Sequence, residues 1–118
     1  MNIEELRTYC LAKPFVEESF PFGNETLVFK VMDKLFLLSG INSQPLQFNV
    51  KCKPEEAIEL REQYSCVLPG YHMNKQHWNT IICDGTVSKK LIKQWIDNSY
   101  QLIVDGLPKK LREEMMMK

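Results

Sequence analysis

Apolar and polar residues alternate most cleanly between Leu46 and Lys53. Leu46, Phe48, Val50 and Cys52 fall on one side, and Gln47, Asn49, Lys51 and Lys53 on the other. A period of two predicts a strand with one face on a core and a polar face turned away. The flanking elements follow from the same reading. Ile3, Leu6, Tyr9 and Cys10 form a helical stripe over residues 3–12, opened by Asn2 with Glu5 three residues on and closed by Pro14. Phe15 to Phe22 reads as extended and ends in the turn signal Pro21-Phe22-Gly23-Asn24. Residues 26–32 (TLVFKVM) and 35–38 read as a hairpin turning at Asp33-Lys34, and 40–45 as a loop. Pro54, Glu55 and Glu56 start a helix over 54–64, with Ala57, Leu60, Arg61 and Tyr64 on one face. Residues 66–68 and 80–84 read as short strands. Ser88 then caps a long helix over 88–103, whose Leu91, Ile92, Trp95, Ile96, Ser99, Leu102 and Ile103 share a face. Gly106 ends it. Leu107-Pro108 restarts a short basic helix, and Met115 to Met117 is expected to fray.

This order contains no βαβ alternation and no repeat. It predicts an α+β fold, an antiparallel β-sheet with helices packed on one face. A length of 118 residues, 44% of them hydrophobic and 25% charged, suits a single globular domain over 1–118 and not a disordered tail.

Formal net charge is zero, which argues against a strong electrostatic field. The charge is nevertheless uneven. Arg7 and Lys13 stand against Glu4, Glu5, Glu17, Glu18 and Glu25, so the first 27 residues are acidic by three charges and the remainder basic by as many. The cysteines, Cys10, Cys52, Cys66 and Cys83, are isolated, with no C-x-x-C. The N-terminus, Met1-Asn2-Ile3-Glu4-Glu5, lacks the apolar centre of a signal peptide, and no stretch is long enough to cross a bilayer. These features predict reduced, half-buried thiols in a cytoplasmic monomer without a membrane partner.

Chemistry-bearing side chains concentrate in Pro69 to Thr80, PGYHMNKQHWNT, which holds both histidines and one of the two tryptophans. Cys66, His72, His77 and Cys83 make a C-x5-H-x4-H-x5-C series, in which only the histidine pair has a zinc-like spacing. No metal site is expected. No glycine-rich phosphate loop and no nucleophile motif is present. The acidic pairs Glu17-Glu18, Glu55-Glu56 and Glu113-Glu114 are adjacent and point apart, as solvated residues do. No catalytic residue is marked and no cofactor is expected. A binding surface fits better. Lys51, Lys53, Arg61 and Lys75 are suited to phosphates, while Tyr71, His72, Asn74, His77, Trp78 and Asn79 offer stacking faces and amides for bases. Each also has a structural reading: Trp78 as core, Asn74 and Asn79 as turn residues bonding their own backbone, His72 as an internal hydrogen-bonder.

The chain resembles the MmcQ/YjbR family of small bacterial proteins over nearly its whole length. The matching pieces are Phe20-Pro21-Phe22-Gly23, Phe29-Lys30-Val31 with Lys34 and Phe36, and Lys51-Cys52-Lys53-Pro54-Glu55-Glu56-Ala57 with Leu60-Arg61. The signature PGYHMNK, followed by His77-Trp78-Asn79-Thr80 and Asp84-Gly85, comes next, and Ser99 to Ile103 and Leu107 to Lys110 close it. The resemblance implies a frataxin-like (CyaY-like) fold. It also implies a DNA-binding module with a double-wing motif, two hairpin-like wings gripping a duplex. The expected function is therefore non-enzymatic nucleic-acid binding, with DNA as partner. The alternative is a protein-interaction or small-ligand domain whose 69–80 loop lines a pocket. Surface shape separates the two: a flat or convex basic face around Lys51, Lys53 and Lys75 favours nucleic acid, and a concave pocket with His72 and His77 converging in it favours a ligand.

Overall fold

The computed structural model describes residues 1–70 and 73–117. The elements among them are α1 (Ile3–Leu11), β1 (Val16–Ser19), β2 (Thr26–Val31), β3 (Lys34–Gly40), β4 (Gln47–Lys51), α2 (Pro54–Gln63), β5 (Val67–Pro69), β6 (Trp78–Ile82), α3 (Lys89–Asp105) and α4 (Lys109–Met116). The strands make one sheet in the order β1-β2-β3-β4-β6-β5, antiparallel at every pairing. This is the expected α+β fold.

Register fixes the two faces, because residues directly opposite in antiparallel strands share a side. Phe29 lies opposite Leu37, Leu37 opposite Val50, and Phe48 opposite Ile81. These residues form the inner face. Leu6 and Cys10 of α1 and Ile92, Trp95 and Ile96 of α3 join them in one buried core. At the end of α2, Leu60 and Tyr64 pack against that core, Tyr64 meeting the Trp95 ring edge-on at 5.2 Å. Gln47, Asn49 and Lys51 take the opposite, outer face, as their alternation predicts.

The caps are those the sequence predicts. Asn2 Oδ1 accepts from Glu5 N–H at 2.8 Å, and Ser88 Oγ accepts from Leu91 N–H at 3.1 Å. Each satisfies a donor that the first helical turn leaves free.

Three details differ from expectation. The β2–β3 loop is Met32-Asp33, between the paired Val31 and Lys34, with φ of 49° and 66°. A two-residue loop with both φ positive matches the strand twist, so Lys34 is left to start β3. β6 begins at Trp78, because pairing with β4 recruits Trp78 and Asn79 into the sheet. The C-terminal helix runs to Met116 and does not fray at Met115, whose side chain packs against the core.

A bulge in β3 has a consequence for helix docking. The register shifts after Phe29, leaving Phe36 as an extra residue that points inward beside Leu37. Ser99, wholly buried in α3, closes the resulting gap. Its hydroxyl donates to the Phe36 carbonyl at 2.5 Å and accepts from the Lys51 N–H at 2.8 Å. One side chain thus ties a helix to two strands, and one of those ties holds the backbone of Lys51.

Candidate nucleic-acid interface

Two polar stretches distant in sequence meet where β4 ends and β6 begins. Lys51 lies opposite Trp78, and Val50 opposite Asn79. The ladder runs one step further, with the Cys52 N–H donating to the His77 carbonyl at 2.7 Å. Lys51-Cys52-Lys53 therefore lies alongside His77-Trp78. The turn leading into β6 is built by Asn74. Its carbonyl accepts from the N–H groups of His77 and Trp78, and its Oδ1 accepts from Gln76 N–H at 2.9 Å. This is the self-bonding turn role that an asparagine favours, and it leaves Nδ2 as the side-chain donor for another group. Lys53 occupies the cap position of α2, one residue before Pro54.

The same edge has an interior side. Trp78 is only 8% exposed, and Asn79 is wholly buried. Asn79 does not bond its own backbone. Its Nδ2 donates to the Ala57 carbonyl in α2 at 3.2 Å and points at the Cys52 sulfur at 3.8 Å. Arg61 Nε donates to the same carbonyl at 3.2 Å, so one α2 oxygen anchors both side chains. Among the described residues, Asn79 Oδ1 is the buried side-chain oxygen without a partner. Burial, followed by the nearby Glu56 carboxylate, pushes the Cys52 thiol up to about 11. A thiol so protonated at neutral pH is a poor nucleophile. Gly70 seals the start of the stretch. Its N–H donates to the Trp78 carbonyl at 2.9 Å, and a Cβ there would come within 3.0 Å of Trp78 Cβ and O.

On the outer face, Thr80 Oγ1 donates to Asn49 Oδ1 at 2.7 Å across the β4–β6 pair. Lys53, Asn74, Lys75 and Gln76 are exposed, and Lys51, Arg61 and His77 are half-buried. Tyr71 and His72 lie outside the described residues. The structure thus sets the Lys51-Cys52 backbone beside His77-Trp78, and Lys53 against the α2–α3 cleft with Glu56 and Asp105. It sets Trp78 and Asn79 in the interior, and it commits the Arg61 Nε to α2. Lys53 borders a shallow cleft shared with Glu56, Asn98, Gln101, Leu102 and Asp105. Sequence reading missed the tie from Ser99 to Lys51 because Ser99 falls on the apolar stripe of α3. A lone serine in such a stripe is the only signal that could have marked it.

Among the described residues there is no group of three or more His, Cys, Asp or Glu side chains placed to hold a metal ion. Nor is any helix among them long and apolar enough to cross a membrane.

The YjbR family model matches residues 11–102. The protein YjbR of Escherichia coli (strain K12) is 39% identical over 114 residues, covering 96% of either chain. Bacillus subtilis (strain 168) YyaQ is 41% identical over 76 residues, 64% of this chain and 63% of that protein. A crystal structure of a DUF419 domain protein from Deinococcus radiodurans superposes with a TM-score of 0.90 at 39% identity, covering 97% of this chain and 87% of that one. A crystal structure from Pseudomonas syringae superposes with a TM-score of 0.74 at 29% identity, over 86% and 98% of the two chains. On the family match and the 39% identity to Escherichia coli YjbR over nearly its full length, the chain belongs to the YjbR family.

Proposed function

We propose that the chain is a non-enzymatic nucleic-acid-binding module, and that DNA phosphates are held at the edge where β4 ends and β6 begins. The observation that carries this reading is the side-by-side placement of Lys51-Cys52-Lys53 and the 74–77 turn. Local positive charge for phosphates lies there next to amide and imidazole groups suited to sugars and base edges. Lys51, Lys53 and Lys75 meet phosphate, joined by the η nitrogens of Arg61. Asn74 Nδ2 and His77 face the nucleotides, with Tyr71 and His72 supplying stacking. Trp78 and Asn79 hold this edge from beneath. A double-wing grip on a duplex is the corresponding docking mode, with single-stranded DNA as the competing substrate.

Fluorescence anisotropy of labelled duplex and single-stranded DNA at two salt concentrations tests the proposal. Weak, salt-sensitive binding is expected. No binding at tens of micromolar protein in low salt would rule it out.

A further inference from the structure

Phe15, Met32 and Asp33 carry left-handed backbone, with φ of 63°, 49° and 66°. Asparagine and glycine take such conformations readily, whereas phenylalanine and methionine rarely do. All three line one cleft of about 420 Å³ at the corner of β1, β2 and α4. The α1–β1 and β2–β3 loops are joined there, Met32 N–H donating to the Phe15 carbonyl at 3.5 Å. Both side chains are half-buried against the core, so the unusual backbone sets two apolar groups as one wall. Leu111 of α4 faces them. α4 has no fully buried residue, which makes it an outer wall that touches the core through Met115.

The rim is charged. Glu17, Asp33 and Glu114 supply carboxylates against the single ammonium of Lys30. Lys30 sits opposite Glu17 in the β1–β2 register, so their formal charges cancel in the count. Asp33 and Glu114, both exposed, remain uncompensated within the lining. The cleft therefore combines an apolar wall with a surplus of negative charge, and its volume falls in the range of small-molecule sites, about 300–1,000 Å³.

We propose that this cleft binds a small organic cation, an ammonium carrying an apolar body. The hydrocarbon lies against Phe15, Met32 and Leu111, and the ammonium sits between Asp33 and Glu114. The site shares no residue with the proposed nucleic-acid edge, so either can fail without the other.

Methyl-detected NMR on the full chain tests it, with n-hexylammonium as probe and hexanoate as its charge-reversed counterpart. Saturable shifts of the Met32 and Leu111 methyls are expected with hexylammonium and not with hexanoate. Asp33→Asn combined with Glu114→Gln weakens binding by roughly three- to tenfold, the effect of losing two exposed ion pairs. Leu111→Lys, at a half-buried position of an outer helix, abolishes it by placing the chain's own ammonium in the cleft; a parent-like urea midpoint confirms that this variant is folded. Absence of saturable shifts overturns the proposal. So do equal shifts with hexanoate, or undiminished affinity in the doubly neutralised variant.

Discussion

Asn79 links two elements through one carboxamide, donating to the Ala57 carbonyl and pointing at the Cys52 sulfur. Replacing it by alanine removes that tie from a fully buried position, and Asn79→Ala is expected to lower unfolding free energy by about 2 kcal/mol. Asn79→Asp is worse. A carboxylate there has no hydrogen to offer the Ala57 carbonyl, and burying it unpaired costs about 3 kcal/mol or more at neutral pH. Urea unfolding of the two variants checks the order, and an aspartate variant as stable as the parent would contradict it. The thiols give a pH dependence. Burial raises Cys52 to about 11 and Cys10 to about 12. Unfolded thiols ionise near 8.5, so above that pH the unfolded chain releases protons the folded chain retains. Stability is thus at its full value below about pH 8.5 and falls as pH rises toward 11. The urea midpoint should drop across that window, and less so in a Cys52→Ala variant. At this scale the cysteines were partly legible: half-burial was expected of isolated thiols, yet Cys10, Cys52 and Cys66 are buried and Cys83 alone is half-buried. Asn79 was not. Its partner lies 22 residues away in another element, and nothing local distinguishes a strand asparagine bonded across the fold from one presented to a ligand.

Between elements, the β3 bulge and the hydroxyl of Ser99 decide how α3 sits on the sheet. Ser99→Ala leaves the buried Phe36 carbonyl and the part-buried Lys51 N–H without that partner and should cost about 2 kcal/mol in urea unfolding. Gly70→Ala forces a methyl against Trp78 Cβ and its carbonyl oxygen, backbone that has little room to yield. A loss of about 1–3 kcal/mol is expected, as for other overpacked sites. A thermal midpoint unchanged from the parent would mean that the edge is looser than the 3.0 Å approach implies. Element spans were largely readable, because caps and periodicity are local. Asn2, Pro54 and Ser88 mark three helix starts, and the alternation from Leu46 marks β4. The start of β6 was not readable. His77-Trp78-Asn79 is as polar and aromatic as a loop, and only pairing with Val50 and Lys51 makes Trp78 and Asn79 strand. The bulge left no trace either, since Phe36 and Leu37 are apolar in any register.

At the scale of the whole molecule, a formal net charge of zero means that the proposed nucleic-acid binding rests on placement and not on an overall field. The fold class followed from element order, and the family from the PGYHMNK and HWNT runs. The shape of the surface did not follow, because it depends on which residues of the signature turn inward. Trp78 and Asn79 do, while Asn74, Lys75 and Gln76 stay at the surface. The placement of Lys51 and Lys53 is therefore the point to probe. The decisive measurement is the salt dependence of duplex DNA affinity for the parent and for a Lys51→Gln, Lys53→Gln variant. Three or four cationic contacts give a slope of log affinity against log salt of roughly −3 to −4, and removing two makes it shallower by about 2. That change, with the urea midpoint preserved, is the predicted result. An unchanged slope and affinity in the folded variant would contradict a nucleic-acid edge at the end of β4.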